Sequence, residues 1–168
     1  LKTAVELVHS AGKKLYLTCN TLPRNNEIDV LPEYLRYVAD IGVDALIIAD
    51  MGVLSLAKKY APDVDIHMST QVGIVNYQAA NALYELGAKR IVTARELSLD
   101  EIKTIRDKTN SNLEIEVFVH GAMCMSISGR CLLSFPSFFS AYAFIPSVTL
   151  AFLSVRVNSN LMLSPIRL

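Results

Sequence analysis

The chain has 168 residues, and its 16 basic and 16 acidic side chains cancel. This length allows one domain with a sizeable core, and the balance gives no strong charge signal for a nucleic-acid partner. The charges are unevenly distributed along the chain. Every acidic residue lies at or before Glu116, and the two charged residues beyond residue 131 are both arginines. Residues 1–134 carry 16 acids against 14 bases, an ordinary composition, whereas residues 135–168 form a separate, atypical segment.

The cysteines and the start of the sequence indicate the cellular compartment of the protein. Cys19, Cys124 and Cys131 cannot all pair with one another, and no basic and apolar leader opens the sequence. Both features favour a reducing compartment and predict a cytoplasmic protein. The sequence begins without Met, in a stretch of helical pattern, so we expect it to be a piece of a longer protein.

A unit of amphipathic stretch, Gly or Pro break and short β-branched run recurs along residues 1–134. The β-branched runs predict strands near residues 14–20, 44–49, 64–69, 90–94 and 113–119. Between the strands apolar residues step at helical spacing, as from Leu31 to Ile41. Pro32 suits the first turn of that helix, and Ser98 with Glu101 predicts a capping box for a later one.

Strands that alternate with helices predict βα units and a parallel sheet. Because no Gly-x-Gly-x-x-Gly turn is present, we expect an α/β fold with a partial (β/α)8 TIM-like barrel rather than a dinucleotide-binding sheet. The barrel domain is expected to comprise five βα units in residues 1–134, followed by an apolar tail in residues 135–168.

Polar side chains follow the predicted strands at their carboxyl ends, where both architectures bind ligands. These candidate site residues are Asn20, Asp50, His67, Ser69, Gln71, Arg95, Glu96 and His120. His67, Glu96 and His120 are the candidates for acid–base catalysis, and Arg95 could bind a carboxylate or phosphate through two parallel hydrogen bonds. We expect the other four to contact the substrate.

Structural roles compete with these functional ones. The alternatives are helix capping for Asp50 and Ser69, a turn for Asn20, core packing for His67, and an ion pair between Arg95 and Glu96.

The segment EVFVHGAMCMSISGRCLLS, residues 116–134, joins the last predicted strand to two glycines and two cysteines. Gly121 would break the strand in a sharp turn. Cys124 and Cys131 could converge on one metal, because a thiolate pair suits zinc or an iron–sulfur cluster. Two cysteines are a weak signal, since such sites commonly use four ligands. A thiol dyad of Cys124 with His120 is the alternative.

This segment resembles the signature of the collagenase-like peptidases of unassigned catalytic type, family U32. The stretches LYLTCN, IHMSTQ and NALYELGAKRIVTARELSLDEI are similar to the same family, so the resemblance covers residues 1–134. It implies a (β/α) barrel followed by further domains. It also implies one of two activities, either the peptidase activity of the family name or a hydroxylation. The hydroxylated group would be a pyrimidine in transfer RNA, with prephenate involved, a pyrimidine in ribosomal RNA, or a quinone precursor.

The resemblance further implies an iron–sulfur cluster held by four cysteines, two of which match Cys124 and Cys131. The other two follow the signature in relatives, whereas this sequence has no cysteine after residue 131. We therefore expect the cluster to be incomplete or absent in this chain, and an RNA or small-molecule substrate to bind the full-length parent. A peptide substrate is the alternative, although neither a Gly-x-Ser-x-Gly nor a His-Glu-x-x-His motif is present. A third alternative is an inert truncated product with exposed sheet edges.

The tail FPSFFSAYAFIPSVTLAFLSVRVNSNLMLSPIRL has three interpretations. Residues 135–155 are uncharged and long enough to span a bilayer, but Pro136 and Pro146 interrupt them. The tail could instead supply a buried pair of helices or strands, or it could come from a shifted reading frame or a misjudged gene end. We favour the last interpretation, because the sequence changes abruptly after Ser134, and we expect no membrane partner.

Overall fold

The computed structural model describes residues 1–120, 126–129 and 153–157. The strands are β1 Tyr16–Cys19, β2 Ala45–Ile48, β3 Asp65–Met68, β4 Arg90–Val92, β5 Glu114–His120 and β6 Leu153–Val157. The helices are α1 Lys2–Ser10, α2 Asn25–Ile28, α3 Leu31–Asp40, α4 Met51–Tyr60, α5 Tyr77–Glu85 and α6 Leu99–Asp107. Two 3-10 turns, Thr70–Val72 and Ile127–Gly129, complete the described elements.

The strands form one sheet in the order β1-β2-β3-β4-β5-β6. Neighbours from β1 to β5 pair in parallel, with Tyr16 opposite Ala45 and Ala45 opposite Asp65, whereas β6 pairs antiparallel to β5. A helix lies between each pair of consecutive parallel strands, as βα crossovers require. The predicted α/β class and the five parallel strands are therefore confirmed.

The hydrophobic core lies between the helices and one face of the sheet. Alternate strand residues such as Leu46, Ile48, Met68 and Ile91 are fully buried there. Their partners on the helices come from α1, α3, α4, α5 and α6, and include Val5, Leu35, Leu54, Leu83 and Ile105. The residues between them in sequence lie on the opposite face of the sheet, and this face carries the polar groups discussed below.

Local sequence signals set the starts of two helices. Pro32 lies in the first turn of α3, where its missing N–H costs no hydrogen bond. Ser98 caps α6 in a full capping box, because its hydroxyl accepts from the Glu101 N–H while the Glu101 carboxylate accepts from the Ser98 N–H at 2.8 Å. Both predictions are confirmed. Within the described ranges, no helix is long and apolar enough to cross a bilayer.

The predicted tail lies largely outside the described residues. Leu153–Val157 is the part of it that the structure describes, as the antiparallel strand β6. The three interpretations of residues 135–168 and the proposed domain boundary at residue 134 stay predictions.

Candidate functional site

The carboxyl ends of β1 to β4 form one edge of the sheet. Several site residues predicted from the sequence lie at this edge, after the strands. Asn20 comes directly after β1 and is half-buried, and Asp50 follows β2. Ser69 and Gln71 follow β3, with Ser69 buried and Gln71 half-buried. The parallel register therefore brings these side chains to a common edge, as expected from the alternation of strands and helices.

Two of these residues are helix caps. The Asp50 carboxylate accepts a hydrogen bond from the Val53 N–H at 3.0 Å and caps α4. The Ser69 hydroxyl accepts from the Gln71 N–H at 3.3 Å and donates to the Gln71 side-chain oxygen at 3.4 Å. The capping alternative is confirmed for both, and their role in substrate binding stays a prediction.

His67 lies on β3, on the sheet face opposite the helices, and is only 3% exposed. Its ring packs edge-on against Tyr16 of β1, with the ring centroids 4.7 Å apart. Burial, together with the nearby charge of Arg90, lowers the pKa of His67 to about 4. The imidazole is therefore neutral at pH 7. It can accept a proton or a hydrogen bond, but it does not serve as a general acid.

A partly buried ion-pair network lies beside His67 on the same face, and sequence analysis missed it. Arg90 of β4 contacts the Glu114 carboxylate through Nη2 at 2.7 Å and through Nε at 2.8 Å, and the Glu116 carboxylate through Nη1 at 3.1 Å. The guanidinium also lies 5.2 Å from the centre of the Tyr16 ring. The signal was present in EIEVF, where acids alternate with the apolar residues that face the helices.

Arg95 occupies the carboxyl end of β4, three residues beyond Val92. Its guanidinium lies over the ring of Phe118, with its central carbon 5.1 Å from the ring centroid. Among the described residues, Arg95 Nε is a buried side-chain nitrogen without a hydrogen-bond partner. An arginine held over a ring with an unsatisfied donor fits a group that accepts hydrogen bonds, such as a carboxylate or phosphate.

Glu96 contacts the 3-10 turn Ile127–Gly129. Its carboxylate accepts hydrogen bonds from the Ser128 N–H and, at 3.1 Å, from the Ser128 hydroxyl. The bond from the Ser128 N–H is the main reason that the pKa of Glu96 lies below its ordinary value, and the charge of Arg95 lowers it further. The salt bridges of the described part of the chain do not include one between Arg95 and Glu96, and the ion-pair alternative stays a prediction.

The cysteine motif lies outside the described residues. Cys124 and Cys131 belong to the ranges that the structure does not describe, and for His120 only the strand backbone is described. Their roles as metal ligands and as an acid–base candidate therefore stay predictions.

The cysteine content of the chain does not fit a four-thiolate cluster. Cys19 packs against the helix-covered core, and burial raises the pKa of its thiol, which disfavours the thiolate that metals bind. The ranges 1–120, 126–129 and 153–157 contain no group of three or more His, Cys, Asp or Glu side chains that could hold a metal. The whole sequence has three cysteines, one fewer than such a cluster requires.

Taken together, the described edge offers an arginine with an unsatisfied donor, a neutral histidine deeper on the same sheet face, and a carboxylate that accepts hydrogen bonds from Ser128. Such groups can bind an anion and orient it, and the neutral imidazole can accept a hydrogen bond. Nothing in this set is a nucleophile paired with a base of the kind that hydrolases use.

Comparison with known proteins identifies the family. The family model described as peptidase family U32 matches residues 1–139. The tRNA hydroxylation protein P of Helicobacter pylori is 47% identical over 133 residues, which cover 79% of this chain and 31% of that protein. The 23S rRNA 5-hydroxycytidine synthase of Escherichia coli is 39% identical over 137 residues, which cover 80% of this chain and 20% of that protein.

A solved structure shares the fold. The U32 peptidase Mk0906 superposes with a TM-score of 0.57 and 22% identity, and the alignment covers 68% of this chain and 49% of that one. The chain thus spans about a third or less of the curated relatives named above. Because the family model covers more than half of the sequence, this chain belongs to peptidase family U32.

Proposed function

We propose that this chain is part of an enzyme that hydroxylates a pyrimidine base in transfer or ribosomal RNA. The observation that carries the proposal is its identity of 47% to a tRNA hydroxylation protein and 39% to a 5-hydroxycytidine synthase that acts on 23S rRNA. The names of these two relatives describe one reaction class, hydroxylation, on two kinds of RNA. An RNA substrate implies a cytoplasmic site of action.

The five parallel strands would form part of a (β/α)8 barrel in the full-length protein, and the carboxyl edge of the sheet would face the substrate. Arg95 is the best candidate for binding an anion there, because it has a buried donor without a partner among the described residues. The anion would be an RNA phosphate or the carboxylate of a small co-substrate such as prephenate. Phe118 would fix the plane of the guanidinium, so that the loss in side-chain entropy on binding is small.

An iron–sulfur cluster is part of the proposal for the full-length protein alone. Cys124 and Cys131 would supply two thiolates, and the other two would have to come from outside this sequence, which contains only one more cysteine. Such a cluster would supply electron transfer, whereas the residues of this chain would bind and orient the substrate.

The proposal is tested by disrupting the gene in the source organism and measuring modified nucleosides in purified tRNA and rRNA by mass spectrometry. We expect one hydroxylated pyrimidine nucleoside to disappear and to return when the intact gene is restored. Unchanged nucleosides in both RNA pools would refute the RNA hydroxylase proposal. Loss of gelatin hydrolysis or of a quinone in the same strain would then favour the peptidase or the quinone-precursor alternative.

The role of Arg95 is tested by restoring the disrupted strain with variants. Arg95→Ala should reduce the hydroxylated nucleoside at least about tenfold, and Arg95→Lys should restore it only partly, because lysine keeps the charge but not the two parallel donors. Arg36→Ala is the matched control, since Arg36 also lies over a ring, that of Tyr60, at 4.5 Å. Equal losses in Arg95→Ala and Arg36→Ala at equal protein levels would refute the role of Arg95.

A further inference from the structure

Glu116 lies on β5 and faces away from the helices, because its neighbours Ile115 and Val117 are buried in the helix-covered core. Helices lie outside the strands in a (β/α)8 barrel, so the face that carries Glu116 would be the inner wall of the proposed barrel. Glu116 lies nearer the carboxyl edge than Glu114, and Phe118 is the next residue of β5 on the same face. Glu116 is therefore the acid of the ion-pair network that lies closest to the ligand-binding edge.

The Glu116 carboxylate is held in place through one of its two oxygens. Oε2 accepts a hydrogen bond from Arg90 Nη1 at 3.1 Å, and Arg90 is fixed in turn by contacts of 2.7 and 2.8 Å to Glu114. Among the described residues, Glu116 Oε1 makes no hydrogen bond or ion pair. The side chain is 23% exposed, so a ligand on the inner wall could reach it. A fixed carboxylate with an unused acceptor suits a neutral N–H or O–H donor.

The neighbouring groups on this wall complement the acceptor. The Cα atom of Phe118 lies about 7 Å beyond that of Glu116 along the strand. Over the Phe118 ring lies the Arg95 guanidinium, whose buried Nε has no partner among the described residues. An anionic acceptor, an aromatic ring and a cationic donor thus follow one another towards the carboxyl edge.

A pyrimidine nucleotide has features that match these three groups. Its phosphate accepts hydrogen bonds, its base stacks on aromatic rings or guanidinium planes, and the edge of its base carries an N–H donor. The Glu116 carboxylate would repel a phosphate, so the anion belongs at Arg95 and the donor at Glu116. The arrangement therefore also fixes which end of the ligand lies deeper in the barrel.

We propose that Glu116 is a specificity-determining residue, whose Oε1 atom accepts a hydrogen bond from an N–H on the Watson–Crick edge of the target pyrimidine. In uracil this donor is the ring N3–H, and in cytosine it is the exocyclic amine. The inference rests on the proposed function, since it states how the pyrimidine base of that substrate is bound. Such a contact rejects a base without the donor, because the carboxylate would lose water without gaining a partner.

The experiment measures binding of mononucleotides to the full 168-residue chain by NMR titration, with the backbone amides of Glu116 and Phe118 as reporters. The probes are the 5′-monophosphates of uridine and cytidine and of one methylated analogue of each. The analogue 3-methyluridine lacks the ring N–H, and dimethylation of the exocyclic amine removes both donors of cytidine. We expect one parent nucleotide to bind at least about tenfold more tightly than its analogue, since a hydrogen bond to a charged group is lost. The parent that shows this preference identifies the base as uracil or cytosine.

A pair of variants separates base recognition from a purely structural role of Glu116. Glu116→Ala should bring the ratio of the two affinities close to one, because alanine removes the acceptor and leaves space for the added methyl groups. Glu114→Ala is the matched control, since it also breaks contacts with Arg90 but lies two residues further from the carboxyl edge. It should keep the preference for the parent nucleotide, even where both affinities fall.

Three results would overturn the inference. The first is equal binding of parent and analogue by the unchanged chain, a result that needs no variant and so applies even if Glu116→Ala does not fold. The second is the absence of any shift at Glu116 with both parent nucleotides. The third is a preference that survives in Glu116→Ala or is lost equally in Glu114→Ala.

This test and that of the RNA hydroxylase proposal can fail separately. Unchanged nucleosides in the disrupted strain would refute the hydroxylation, but they would leave binding that depends on the base N–H intact. Equal binding of parent and analogue would refute the role of Glu116, but it would leave the loss of a hydroxylated nucleoside in that strain intact.

Discussion

Replacing Arg90 by methionine tests how much the partly buried ion-pair network contributes to stability. The substitution removes a guanidinium that makes contacts of 2.7 and 2.8 Å to Glu114 and of 3.1 Å to Glu116. Methionine keeps an apolar stem of similar length against the ring of Tyr16. The main change is therefore electrostatic, because two carboxylates on one face of β5 lose the guanidinium that lies between them.

The expected loss follows from the burial of the three side chains. Removing one partner of a fully buried pair costs about 3–5 kcal/mol, whereas an exposed pair contributes about 0.2–1 kcal/mol. The Arg90 side chain is 11% exposed, and the side chains of Glu114 and Glu116 are 22% and 23% exposed, so the network lies between these limits. We expect Arg90→Met to lower the free energy of unfolding by about 2–3 kcal/mol.

The assay is urea unfolding of the full chain at pH 7, followed by circular dichroism. The control is Lys89→Met, which breaks the neighbouring pair of Lys89 with Asp65 at 3.1 Å, whose side chains are 54% and 35% exposed. This variant should lose no more than about 0.5 kcal/mol. A triple variant that adds Glu114→Gln and Glu116→Gln to Arg90→Met should recover to within about 1 kcal/mol of the unchanged chain, because both carboxylate charges are gone.

Two outcomes would contradict this reasoning. If Lys89→Met costs as much as Arg90→Met, burial does not decide the contribution of the pair. If the triple variant is no more stable than Arg90→Met, the loss comes from packing rather than from the charges of the two carboxylates.

Two further predictions concern His67 and Asp50. Because burial and the charge of Arg90 lower the pKa of His67 from 6.5 to about 4, the unfolded chain takes up a proton between these pH values that the folded chain does not. The free energy of unfolding should therefore fall by about 3 kcal/mol as the pH drops from 6.5 to 4. His67→Gln should remove this part of the pH dependence, measured by urea unfolding. Identical pH profiles of the two chains would contradict the lowered pKa of His67. Asp50→Ala should lower the free energy of unfolding by about 1 kcal/mol through loss of the α4 cap, and Asp50→Ser should restore most of this loss. If the serine variant is stable but the gene that encodes it fails to restore the hydroxylated nucleoside in the disrupted strain, Asp50 contacts the substrate as well.

Much of the fold could be predicted from the sequence because the relevant signals are local. The β-branched runs gave the five parallel strands, and β3, for example, was expected near 64–69 and is observed at Asp65–Met68. The capping box at Ser98 and the first-turn position of Pro32 depend on residues within one helical turn. Such signals act over a few residues, so that no knowledge of distant contacts is needed to read them.

The candidate site was predicted in position but not in its contacts. The residues after β2, β3 and β4 do lie at one edge, because parallel strands bring their carboxyl ends together. Asp50 and Ser69 proved to be caps there, and the polar network of Arg90 with Glu114 and Glu116 was missed, although the strand alternation was visible. Which charged groups on this face meet depends on the register between β4 and β5, and this register is not encoded in either strand alone.

The sequence by itself determined the order of strands and helices, the parallel sheet and the family of the protein, because periodicity and motifs are properties of neighbouring residues. Only the tertiary structure decided that Arg95 lies over Phe118 and that Glu96 accepts from Ser128, a residue 32 positions away. Contacts between residues so far apart in sequence form when the packing of neighbouring strands brings the strand ends together. Each side chain then contacts the groups that the packed fold places beside it. The role of a charged residue at this edge therefore follows from the fold and not from its neighbours in sequence.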